Sequence, residues 1–451
     1  MAKSHEIDMT SGNLLPKILK FAIPLMLTGI LQLLFNAADL IVVGQFAENA
    51  DNSVSAVGST SSLINLIVNV FLGLSVGANV LMARAYGSKS YEKADRALHT
   101  SILLSLLSGL VLAVFGFFFA YTFLSWMQTP ANVIDLASLY LKIYFLGMPF
   151  NMLYNFGAAI LRAVGDTKRP LYFLTIAGVI NIALNLLLVI VFNLDVAGVA
   201  IATITSEAVS AILVLICLIK GNSFIKLRLK HLKIHKEETI ELAKIGIPAG
   251  IQGSVFSISN VLIQSSINSF GEIVLAGNTA ASNIEGFVYT AMNSIYHAAL
   301  AFTAQNVGAR NFPNIKKTMG YSLLLVTIIG IVLGGIVMLF AEPLLKVYIS
   351  GEESIKYGVL RLTYIVIPYF TCGIMDTLCG GLRGLGFSIT PTIISLIGAC
   401  IFRIVWIYTV FNADPTLSTL YVSYPISWVL TSLIYVGFYA VIYKSVKYKL
   451  M

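Results

Sequence analysis

Apolar stretches of about 20 or more residues recur from one end of this chain to the other, at roughly 15–46, 54–83, 97–125, 132–160, 170–192, 196–219, 240–269, 275–305, 318–348, 357–382, 389–411 and 418–443. Each is long enough, as a helix, to cross a hydrocarbon layer about 30 Å thick. Backbone inside such a layer has no water to bond, so only helices or a closed barrel satisfy it. No stretch alternates apolar and polar residues with the period of a barrel strand, which leaves helices. The chain is 57% hydrophobic and 11% charged, against roughly 25% charged for a soluble domain. The expected fold is an all-α polytopic membrane protein of about twelve transmembrane helices.

The two halves of the chain repeat each other. Leu161-Arg162-Ala163-Val164-Gly165, with Pro170 beyond it, returns 221 residues later as Leu382-Arg383-Gly384-Leu385-Gly386, with Pro391 beyond it. Lys20 to Pro24 aligns with Lys244 to Pro248, and Ala85-Tyr86-Gly87 with Asn306-Val307-Gly308. Duplication of one six-helix bundle, with the copies related by a pseudo-two-fold axis, accounts for this spacing. The expected domains are an N-terminal lobe over 1–219, a basic cytoplasmic linker over 220–239 and a C-terminal lobe over 240–451. Function is to be sought where the two similar halves face each other.

Basic residues set the orientation. With the termini and alternate loops on one side, that side collects 24 of the 29 Lys and Arg residues, Lys3 and Lys449 among them. The opposite loops are short and carry Glu48, Asp51, Asp195, Glu272, Glu352, Glu353 and Asp414. Positive loops stay in the cytoplasm, so both termini are expected there and both halves enter the membrane from that side. The polar stretch Met1 to Gly12 lacks a positively charged cleavable signal, so the first apolar stretch is expected to stay as a span of the inner or plasma membrane.

The net charge of +8 follows from this topology. No loop is large enough to fold a nucleic-acid-binding domain, and nucleic acid is not an expected partner. The linker from Lys220 to Thr239 is placed to touch anionic lipid headgroups. His231 and His235 within it lack supporting Cys or carboxylate, and Cys217, Cys372, Cys379 and Cys400 are scattered through apolar spans, so neither a metal site nor a disulfide framework is indicated. No zinc-protease or serine-hydrolase motif occurs, and His297 is the His well inside a span. An enzyme is not expected, nor a cofactor beyond a coupling ion.

Asn36-Ala37-Ala38-Asp39 with Val43-Gly44, Val54 to Gly58, Gly73-Leu74-Ser75-Val76-Gly77-Ala78, Ala85-Tyr86-Gly87 with Ala94, Leu161 to Lys168, and Gly198-Val199-Ala200-Ile201-Ala202-Thr203 resemble, in this order, the recurring blocks of the multidrug and toxic compound extrusion (MATE) transporters of prokaryotes. The resemblance spans essentially the whole chain. It implies two six-helix bundles around a central cleft that opens to either side of the membrane in turn, with export driven by H⁺ or Na⁺.

Charged groups deep in a span are costly, and usually face a cavity or a partner. Asp39 is the leading candidate, with Asn36 and Gln32 one and two turns below it on the same face as candidate cavity residues. A carboxyl group removed from water favours its protonated form and an approaching cation favours the ionised one, so one carboxyl exchanges a proton for a cation. The resemblance implies that Asp39, Asn181, Asn185 and Thr203 converge, as at the cation site of family members. There the place of Asn185 is commonly Asp. The lost charge weakens attraction to Na⁺ and favours protons, although an amide still offers it oxygen. Interhelical hydrogen bonding is the structural alternative for these polar groups. Glu207, four residues beyond Thr203, is a second candidate for titration.

In the second half, Glu285, Asp376 and Arg403 form the candidate charged cluster. A permanently charged guanidinium needs partners, so Arg403 is expected to pair with Glu285, Asp376 or both, as a strut or as a switch. Asp376 stands about one turn nearer the cytoplasm than the tenth-helix acid of some relatives. Pro24, Pro149, Pro248 and Pro368 fall within or near the start of expected helices, where they either bend the helix as hinges or are simply accommodated in the bundle. Arg162 and Arg383 read as cytoplasmic helix ends, where Arg complements the helix terminus and Gly permits the cap. The reading for the whole is a monomeric antiporter that exports amphipathic organic cations, with a lipid-linked flippase of the same superfamily as the alternative. The deep charges, read as mostly acidic, favour the exporter.

Overall fold

A computed structural model of the chain describes residues 6–47, 50–221 and 224–450. Lys3 and Glu48 lie outside the described residues, and the side chains of Asp51 and Lys449 are likewise not described. Every regular element among the described residues is helical. They are α1 (Leu14–Phe46), α2 (Ala50–Gly87), α3 (Tyr91–Trp126), α4 (Ile134–Leu146), α5 (Met148–Ala163), α6 (Lys168–Leu186), α7 (Asp195–Ile219), α8 (Lys236–Asn268), α9 (Glu272–Gly308), α10 (Phe312–Leu339), α11 (Ala341–Lys346), α12 (Glu352–Ile365), α13 (Tyr369–Gly384), α14 (Ile389–Ser395), α15 (Phe402–Trp406) and α16 (Leu417–Leu450).

Among the described residues, nine single helices, and the bent pairs α4–α5 and α12–α13, are long and apolar enough to cross a membrane. The remaining expected span, α9, is 37 residues long but more polar than these. Asn278, Glu285, Gln305 and Asn306 are all buried on it. A helix enclosed by protein needs no apolar face toward lipid, and its polar groups then bond to neighbours. The bends of the two pairs are nearly equal, 49° and 47°. Pro149 begins α5 and Pro368 caps α13, where a missing backbone donor ends the preceding helix. The repeated turns also agree: Gly165 and Gly386 have φ of +90° and +91°, a region that glycine enters without penalty.

Two compact units emerge. Unit 1 takes Met1–Asp8 and Leu27–Gly250, and unit 2 takes Met9–Met26 and Ile251–Met451. The first helix of each repeat therefore starts in the unit built by the other repeat, which the expected boundaries at 219 and 240 did not include. Within unit 1, Gly73 and Gly77 of α2 meet Gly246 and Gly250 of α8. A Cβ on Gly73 would stand 2.2 Å from the Gly250 nitrogen, and one on Gly77 would stand 2.3 Å from the Leu242 carbonyl oxygen. Small residues four apart on both helices allow this backbone approach. Within unit 2 the corresponding start of α1 packs by side chains instead, with Phe21 edge-on to Phe302 of α9 at 5.6 Å. The linker is tied to α3: His99 Nδ1 donates to the Asp95 carbonyl at 2.7 Å and Nε2 accepts the Arg228 N–H at 3.1 Å.

Candidate functional site

In unit 1, three helices bring four of the expected residues together. Asp39 lies on α1, Asn181 and Asn185 on α6, and Thr203 on α7. Asn185 Nδ2 donates to Asp39 Oδ1 at 2.5 Å and to Asn181 Oδ1 at 3.3 Å. Thr203 sits beside the same carboxyl, and its hydroxyl donates to the Val199 carbonyl at 3.0 Å. Directly after Asn185 the helix widens into a π turn, Leu187–Val191, a local irregularity that often accompanies functional sites.

Glu207 stands one turn along α7 from Thr203. Its Oε1 accepts from Asn151 Nδ2 of α5 at 2.7 Å, while Oε2 is buried without a hydrogen-bond partner among the described residues. Asn185 Oδ1 is a second buried acceptor without a partner. Among the described residues, no Lys or Arg nitrogen comes within 4.0 Å of Asp39 or Glu207. Two carboxyl groups sharing an interior without a cation must be neutralised by protons or by an entering cation. Partnerless acceptors beside them suit either a proton or a hard ion such as Na⁺. Gln32 and Asn36 are exposed and take no part in the hydrogen bonds around Asp39.

Unit 2 differs from expectation. Glu285 pairs with Arg361, not Arg403: Arg361 Nε and Nη2 reach its two oxygens at 2.8 Å each. The remaining nitrogen, Nη1, donates to Asn278 Oδ1 at 2.8 Å. Both charges are buried, and the two-pronged geometry gives each carboxylate oxygen one charge-assisted hydrogen bond. The cause lies in helix order. Arg361 stands on α12, which packs along α9 and so presents its guanidinium to Glu285. Asp376 takes a hydrogen bond from Tyr289 of α9 and lies beyond ion-pair distance of Arg403.

Arg403 is 3% exposed and has no carboxylate within 4.0 Å among the described residues. Nε donates to Ser427 Oγ at 2.9 Å, and the guanidinium lies 4.2 Å from the Tyr424 ring centre and 5.6 Å from that of Trp428. Nη2 is buried without a hydrogen-bond partner. Cation–π contacts return about 0.5–2 kcal/mol, less than the several kcal/mol that burying an ion costs. The charge of Arg403 is therefore only partly compensated.

Arg383 also departs from its expected role. It is buried, donating from Nη1 to Tyr296 Oη at 2.7 Å and from Nη2 to Gln252 Oε1 at 2.9 Å, and does not simply close a helix end. Sequence reasoning passed over Arg361. The available signal was a lone Glu in the apolar stretch 275–305 and an Arg inside the apolar stretch 357–382.

These features define a class first, a polytopic helical membrane protein built from an internal repeat with uncompensated charges in its interior. The MatE family profile matches residues 24–187 and 248–409, once on each copy, and the chain belongs to the MatE family. It is 29% identical over 458 residues to "Probable multidrug resistance protein YoeA" of Bacillus subtilis (strain 168), covering 99% of this chain and 98% of that protein. It is 24% identical to "Multidrug export protein MepA" of Staphylococcus haemolyticus (strain JCSC1435), covering 84% and 81% of the two chains. A crystal structure of MATE in complex with MaL6 superposes with a TM-score of 0.91 at 20% identity, covering 99% of this chain and 100% of that one. An outward-facing MATE transporter of the MOP superfamily gives 0.90 at 20% identity, covering 97% and 98%. The all-α fold expected from the sequence is the MATE fold.

Proposed function

We propose that this chain is a secondary antiporter that exports amphipathic organic cations in exchange for H⁺ or Na⁺, its two lobes rocking to open a shared cleft to each side of the membrane in turn. The observation that carries the reading is the Asp39 carboxyl, bonded to Asn185 and, among the described residues, without a basic group within 4.0 Å. With a proton on Asp39, the site is neutral and closed to cations. Loss of that proton leaves a carboxylate beside the Asn185 amide oxygen and the Thr203 hydroxyl, and a cation then restores neutrality. Exchange follows because one carboxylate holds either species but not both. Glu207 offers a second proton place on the same helix as Thr203. The formal charge missing at Asn185 favours H⁺ over Na⁺ as coupling ion. The relatives carry multidrug resistance and export in their names, which supports a transport role over an enzymatic one. With the basic loops cytoplasmic, export runs out of the cell.

The test is dye efflux from proteoliposomes under imposed pH and Na⁺ gradients. Asp39→Asn should reduce gradient-driven ethidium transport to the leak rate while the protein purifies as well as wild type. Normal rates in that variant would remove Asp39 from the mechanism.

A further inference from the structure

The place of the unit 1 site in the duplicated fold is filled differently in unit 2. At the 221-residue offset of the repeat, Tyr424 stands where Thr203 does and Trp428 where Glu207 does. Arg403 occupies the helix corresponding to that of Asn181 and Asn185. That helix is broken twice in unit 2, by π turns at Leu396–Ile401 and Ile407–Phe411 on either side of α15. The second break repeats Leu187–Val191 of unit 1. The first has no counterpart, because 175–180 lies within α6. It immediately precedes Arg403, and a wide turn shifts the register of every side chain that follows it. Glu207 of unit 1 is thus matched by an aromatic residue in unit 2, while Arg403 stands on the helix whose unit 1 counterpart carries Asn181 and Asn185.

We propose that unit 2 holds a recognition site for the carboxylate of an amphipathic aromatic anion or zwitterion, with Arg403 as its charged group and Tyr424, Trp428 and Tyr369 as its walls. The inference rests on the exporter reading above and adds to it a class of substrate. Arg403 has a donor without a partner and a charge without a counter-ion, whereas Arg361 is already matched by Glu285. A carboxylate on Arg403 supplies both. A monoanion matches the one charge of Arg403, and a doubly charged phosphate would leave an excess in an apolar surrounding. Arg383, which also has no carboxylate within 4.0 Å among the described residues, is instead held by Tyr296 and Gln252. The rings continue outward. Trp428 lies 5.3 Å from Tyr369, which stacks with Tyr289 at 6.4 Å, and Tyr289 is 39% exposed. A planar aromatic body passing along these rings exchanges one stacking partner for another, and its carboxylate replaces the Tyr424 face over the guanidinium.

The experiment uses two dyes that differ by one group, rhodamine 110 with a free carboxylate and rhodamine 123, its methyl ester. Binding of each to the purified full-length protein is measured by fluorescence anisotropy without any gradient, so a failure of coupled export leaves the comparison intact. The free acid is expected to bind the wild type more tightly than the ester. Arg403→Gln should weaken acid binding at least tenfold and change ester binding less than twofold, and Arg403→Lys should recover part of the preference. Equal losses for both dyes in Arg403→Gln would overturn the proposal, as would an unchanged preference. So would dioleoyl phosphatidic acid displacing the acid more effectively than benzoate through Arg403, because the ligand would then be a phospholipid.

Discussion

The two copies of the repeat share a backbone and oppose each other in charge. Their bent helix pairs differ by two degrees and their glycine turns by one, yet among the described residues Asp39 and Glu207 of unit 1 have no base within 4.0 Å and Arg403 of unit 2 has no carboxylate within that distance. Duplication kept what the backbone requires and let interior side chains diverge. The second acid–base group of unit 2, Arg361 with Glu285, is self-sufficient. Its charges cancel within one hydrogen-bonded pair, whereas Asp39, Glu207 and Arg403 have no oppositely charged group within 4.0 Å among the described residues.

The largest effect on stability should come from breaking the Arg361–Glu285 pair. Glu285→Gln leaves Arg361 buried and unpaired, and a loss of about 3–5 kcal/mol is expected. Glu207→Gln keeps an acceptor for Asn151 and should change stability by less than about 1 kcal/mol. Thermal unfolding in detergent of the two variants side by side checks the contrast, and equal shifts would erase it.

A smaller effect separates the two crossings made by the starts of the repeats. Gly73→Ala drives a methyl group into the Gly250 backbone and should cost about 1–3 kcal/mol. Ala22→Gly, at the matching side-chain-packed crossing of unit 2, should cost about 1 kcal/mol, through helix propensity. Chemical unfolding monitored by tryptophan fluorescence reads both. The smallest effect belongs to Gln32 and Asn36. Alanine at either should alter the apparent KM for individual dyes about two- to fivefold, less than roughly 1.4 kcal/mol, with maximal rate unchanged. A collapse of rate instead would place them in the coupling machinery with Asp39.

Much of this was legible in the sequence, for a physical reason. Span length, the breaks at Pro149 and Pro368 and the turns at Gly165 and Gly386 obey local rules that a single segment reveals, whereas Pro24 and Pro248, read as hinges or as accommodated in the bundle, lie inside the continuous helices α1 and α8. The approach of Asp39 to Asn185 was readable through the family resemblance, since the two are 146 residues apart and no local pattern joins them. The partner of Glu285 was not readable. Arg361 and Arg403 both satisfy the demand for a base, and only the packing of α12 along α9 decides between them. Arg383 misled for a related reason: a basic residue in a last helical turn looks the same whether it faces solvent or, as here, turns inward to Tyr296 and Gln252. The start of α1 in unit 2 was equally hidden, because a continuous helix gives no sign of where it changes partners.

The central claim is that the carboxyl group of Asp39 holds a proton or a cation in turn, and proton release on ligand binding tests it most directly. Tetraphenylphosphonium is added to purified protein in weak buffer while pH is followed with an indicator dye. Wild type should release about one proton for each cation bound, and Asp39→Asn should release essentially none. Equal release from both proteins would contradict the account, and so would cation binding by the wild type without any release.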